Sequence, residues 1–90
     1  MTPVRHATSA DLERIEHLLG GLRSVDGLVE RRPGVFYRRT RAFVHFHADS
    51  AGLFADARLH DEDFVRLPVT TQAEQARFLR EVRRAVGEER

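Results

Sequence analysis

Cysteine is absent from the 90-residue chain, which excludes a disulfide framework and a thiolate metal site and leaves the redox compartment open. Lysine is absent as well. All 15 basic residues are arginine, a bias that GC-rich coding accounts for, and Schiff-base chemistry has no amine to use. No apolar run approaches a membrane span, and the stretch from Met1 to His6 lacks a signal-peptide core, so a cytoplasmic location is expected. There is no Gly-x-Ser-x-Gly elbow and no phosphate-binding glycine loop. The net charge of +1 is too small to drive nucleic-acid binding by bulk electrostatics.

What is present describes an ordered domain. With 41% hydrophobic and 32% charged residues the chain can build a core. Residues 1–90 form one domain, too small for separate substrate and cofactor domains, so any active site must be shallow or shared between subunits. The charge is unevenly placed. Arg31, Arg32, Arg38, Arg39 and Arg41 precede the next acid, Asp49, whereas acids cluster at Asp61, Glu62 and Asp63.

Residues 1–7 read as a loosely held lead, followed by a helix over 8–22. Thr8 or Ser9 can cap it, Asp11 favours its dipole, and Leu12, Ile15, Leu18, Leu19 and Leu22 recur at helical spacing. Gly20 and Gly21 should fray or stop it. A second helix over 71–86 has a capping box in Thr71 and Glu74, with Pro68 upstream and Gly87 as a stop. Its apolar stripe is Ala76, Leu79, Val82 and Val86, widened by Phe78 and Ala85, and the charges between are a solvated face.

Residues 27–69 alternate as antiparallel strands. A hairpin loop between Ala48 and Leu53, with Gly52 at positive φ, pairs Phe46 with Ala55, Val44 with Ala57, His45 with Asp56 and His47 with Phe54. A one-residue slip would set Phe46 against Asp56, so the hydrophobic pattern selects this register. A turn at Arg39 and Thr40 puts Val35 and Tyr37 on the apolar face, and a loop at Asp61 to Asp63 returns Val65, Leu67 and Val69 to it. The architecture is α+β: an antiparallel meander of four or five strands with an N-terminal and a C-terminal helix packed on one face.

The opposite face collects Phe36, Arg38, Arg41, Phe43, His45, His47, Phe54, Asp56, Arg58, Phe64 and Arg66. A solvated sheet face does not ordinarily repeat large aromatics, so a partner, a ligand or a second copy should cover it. Phe36, Phe43 and Phe54 would expose on the order of several hundred Å² together, which implies a homodimer. His45 and His47 project side by side and, with Asp56 across the ladder, are candidate metal ligands; His60, Asp61 and Asp63 are the remaining donors near a loop. Arg39 to Phe46 echoes the octapeptide of RNA-recognition sheets, with Arg41 where an aromatic is expected and Thr40 in place of glycine. These features point to a protein-interaction or ligand-binding module rather than a self-sufficient enzyme, and no cofactor is assigned. The alternatives are a metal-dependent enzyme using the His-x-His strand, and single-stranded nucleic-acid binding.

The run from Arg41 to Val86 carries a family likeness in the His45-x-His47 strand, its partner Gly52 to Asp56, and Val65 to Thr71 leading into a Glu- and Arg-rich helix. It resembles the small bacterial luciferase-domain proteins over about half the chain. The resemblance implies an α+β fold and names no reaction; light emission is not implied. A more distant similarity to the YjbR-like small α+β proteins implies the same fold.

Overall fold

Two capping boxes start the helical layer in the computed structural model, which describes residues 5–60 and 62–87. Thr8 accepts from the Asp11 amide while the Asp11 carboxylate accepts from the Thr8 amide, opening α1 (Ser9–Glu13). The amides of Arg14 and Ile15 then bond to carbonyls three residues back. That tightening ends α1 and starts α2 (Glu16–Arg23), so the helix expected over 8–22 is two pieces. Gly20 and Gly21 do not stop α2. A Cβ on Gly21 would stand 2.7 Å from Leu79 of the C-terminal helix α3 (Gln72–Ala85), so the missing side chain is what lets the two helices touch. Thr71 and Glu74 form the capping box of α3 as their spacing predicts.

Five strands form the antiparallel meander: β2 (Leu28–Arg32), β3 (Val35–Arg38), β4 (Arg41–Asp49), β5 (Gly52–Ala57) and β6 (Val65–Pro68). The short strand β1 (Arg5–His6) adds to β4 on the side opposite β5, pairing His6 with His47 and Arg5 with Ala48. Of the expected loose lead, then, residues 5–6 are ordered by backbone pairing, and residues 1–4 lie outside the described residues. Asp61 lies outside them too. The β4–β5 hairpin has the expected register, from Val44 opposite Ala57 to Ala48 opposite Leu53, with Gly52 at φ 141°.

One departure rearranges the faces. Arg38 pairs with Arg41 and Tyr37 with Ala42, yet Phe36 pairs with Val44, so Phe43 is an extra residue in β4. Because side chains alternate with a period of two, a one-residue bulge moves everything beyond it to the other side. Phe36 therefore shares the helix-covered face with Val44 and is 0% exposed, and Phe43 is 4% exposed. Arg38 follows Phe36 to that side, where its guanidinium donates to the Ala85 carbonyl of α3. These corrections remove Phe36, Arg38, Phe43 and Arg41, the direct partner of Arg38, from the open face. Tyr37 and Ala42 are displaced there instead, with Tyr37 beside the exposed Val29 and beneath Arg31.

The core lies between the sheet and the helices. Phe46 meets Phe78 edge to face at 6.4 Å, and Ile15, Leu19, Leu22, Leu53, Val69 and Val82 fill the layer around them. Val65 keeps the expected register opposite Ala57 but is 39% exposed, because it opens the edge strand.

Two tests follow from this packing. Phe36→Ala should cost about 3–5 kcal/mol in urea unfolding, while Val29→Thr on the same hairpin should change stability by less than about 0.5 kcal/mol; comparable costs would refute the bulged register. The second concerns Asp11, whose carboxyl is held down at about 2 by the Arg5 guanidinium, 2.6 Å away, and by the Thr8 amide. A carboxyl lowered on folding contributes stability above its unfolded value of 3.8, and that contribution disappears as pH falls toward 2. Asp11→Asn should therefore cost about 1–2 kcal/mol at pH 7, with the difference from wild type vanishing near pH 2.

Candidate metal centre

After the bulge, β4 presents His45 and His47 on the open face in ordinary alternation. β5 sets Asp56 opposite His45 and Phe54 opposite His47, and β6 sets Arg66 opposite Asp56. The fourth strand to contribute is β1. It occupies the stretch of β4 edge that β3 leaves free beyond Val44, and its pairing places His6 directly across from His47.

The three imidazoles form one cluster. His6 stacks on His47 with centroids 5.0 Å apart, and His45 meets His47 edge-on at 4.8 Å. One nitrogen from each ring lies within 4.8 Å of the other two. Tetrahedral zinc sets its nitrogen ligands about 3.3 Å apart, so the three rings would have to close in on a bound ion. His47 is the most enclosed, with its side chain 13% exposed. Its Nε2 stands 2.9 Å from Asp56 Oδ2, but out of line, and neither ring nitrogen makes a hydrogen bond among the described residues. A buried imidazole left in that condition is costly unless it gains a partner.

Electrostatics favours the neutral form of His45, which can donate a lone pair. Burial pushes the His45 imidazolium below its ordinary range, and His47, His6 and Arg66 add to that against the opposing pull of Asp56. Burial acts to raise the Asp56 carboxyl, yet the Arg66 guanidinium outweighs it, bonding both oxygens at 2.8 and 3.0 Å, and the net shift is downward. Asp56 is thus an anion fixed beside His47, placed to orient a ring as carboxylates do around metal-bound histidines.

The other residues expected on this face fall into separate groups. Phe64 packs edge-on against His45 at 4.8 Å, and the Arg58 guanidinium covers Phe64 at 4.2 Å while its Nε donates to the Ala42 carbonyl. Phe54 is half-buried beside His47. Arg41 pairs with Glu62 at 2.6 Å. His60 lies on the exposed loop after β5, and neither it nor Asp63 belongs to the imidazole cluster. With Phe36 and Phe43 in the core, the three-phenylalanine patch behind the homodimer expectation is not on the surface. The octapeptide echo likewise loses the aromatic that could stack a base.

His6 is the site residue that sequence reasoning missed. Nothing in the pattern of Arg5 to Ala7 marks a strand, and a two-residue strand exists only because β4 offers a free edge. Comparison with protein-family profiles, with curated proteins and with solved structures finds no match for the chain.

Proposed function

We propose that the protein is a ligand-binding module whose ligand is a divalent transition-metal ion held by His6, His45 and His47. The observation that carries this reading is the convergence of three imidazoles from two paired strands, with donor atoms within 4.8 Å of one another. Three like-charged imidazolium groups at that separation would repel, whereas three neutral ones favour a cation of the zinc, cobalt or copper class over magnesium or calcium. Turning His47 Nε2 into line with Asp56 leaves Nδ1 as the donor, so the carboxylate acts through the histidine and not as a fourth ligand. Three protein ligands leave a coordination position for water or a further ligand, the arrangement of catalytic zinc sites rather than closed structural ones. That open position is what favours the metal-dependent enzyme as the second reading.

Calorimetric titration of tag-free protein with Zn²⁺ or Co²⁺ tests the assignment. One equivalent should bind, and His6→Ala, His45→Ala and His47→Ala should each weaken it by more than about a hundredfold, with Asp56→Asn costing about 10–100-fold. His17→Ala and His60→Ala should bind as the wild type does. Undiminished binding in His6→Ala would overturn the site as drawn.

A further inference from the structure

The hairpin that joins β3 to β4 breaks two local rules at once. Arg38 and Arg41 are direct cross-strand partners, a like-charge pairing that destabilises a ladder. Between them Arg39 has φ 59°, at the first loop position of a hairpin, where a positive φ ordinarily selects glycine. The guanidinium of Arg39 has no ion pair or hydrogen bond among the described residues. A like-charge pair beside a strained non-glycine residue singles this hairpin out as a place to look for a ligand.

These residues surround a cavity of about 280 Å³ whose lining is Arg38, Arg39, Arg41, Arg58, Ala42 and Phe43. Four of the six lining residues carry a guanidinium and none carries a carboxylate. Two are anchored by carbonyls, Arg38 on Ala85 and Arg58 on Ala42, which fixes their positions without neutralising their charge. The acid paired with one of them is Glu62, whose side chain is 80% exposed and lies outside the lining. An exposed carboxylate of this kind is a replaceable counterion.

We infer that this cavity binds the phosphate group of a small molecule. Several guanidinium-bearing side chains around one cavity suit a tetrahedral dianion with several acceptor oxygens better than a carboxylate. A volume of about 280 Å³ accommodates a phosphate with a small organic substituent. The cavity lining contains none of the three histidines, and Arg58, which also covers Phe64 beside His45, is the residue the two regions share.

Titration of the full chain with inorganic phosphate, pyrophosphate and glycerol phosphate at low ionic strength tests the inference, with chloride as the control anion. Phosphate should bind with one site and chloride should not compete at equal concentration. Arg39→Gly should weaken binding about tenfold while raising the melting temperature by a few degrees, because glycine relaxes the positive φ. Glu62→Gln should strengthen binding severalfold by freeing Arg41, and Arg41→Gln should weaken it. Arg39→Gly that binds phosphate as the wild type does, chloride binding of equal strength, or an oligoribonucleotide that binds where none of the three phosphates does, would each overturn it.

Discussion

The bulge at Phe43 is the constraint from which the two faces of this sheet take their contents. A regular β3–β4 pairing would leave Phe36 and Phe43 in water, and the extra residue instead turns both toward the helices. Burial of two phenylalanines is worth far more than the ladder bond a bulge disturbs. The same displacement separates Arg38 and Arg41 from the histidines. Arg38 goes with Phe36 to the helix side and the hairpin end, while His45 and His47, beyond the bulge, keep the open face for imidazoles and Asp56.

A second consequence concerns the edge of β4. β3 is short, and beyond Val44 it no longer covers its neighbour. Unpaired amides and carbonyls on that edge attract another strand, and the segment just before α1 supplies it. The Ala7 amide donates to the Phe46 carbonyl at 3.1 Å, and the Thr8–Asp11 capping box turns the chain immediately afterwards. Arg5, facing the helices, ties the strand to α1 through Asp11, and His6, facing the other way, completes the imidazole cluster. Helix capping and the third imidazole are therefore consequences of one short strand.

The open face is organised by charge more than by apolar contact. Arg66 holds Asp56 in the anionic form, Asp56 stands beside His47, and Phe64 with Arg58 closes the side next to His45. Burial lowers the His45 imidazolium, with His47, His6 and Arg66 adding to it against the opposite effect of Asp56. At His45 the balance favours a neutral nitrogen donor near a fixed negative charge, an electrostatic condition that suits a divalent cation.

Sequence alone determined the parts of this protein that rest on local chemistry. The capping box at Thr71, the β4–β5 register and the apolar stripes of the helices follow from residue type and spacing, because each is decided by interactions within a few positions or across one hairpin. The pair His45 and His47, and Asp56 as their neighbour, were legible for the same reason. Tertiary structure decided the rest. Alternation cannot register a one-residue bulge, whose cost is recovered only when two phenylalanines meet helices far along the chain. A two-residue strand has no pattern of its own, and His6 reaches the cluster only because a free edge of β4 lies 41 residues further on. Backbone pairing over that distance, not residue type, brings the third imidazole to the other two.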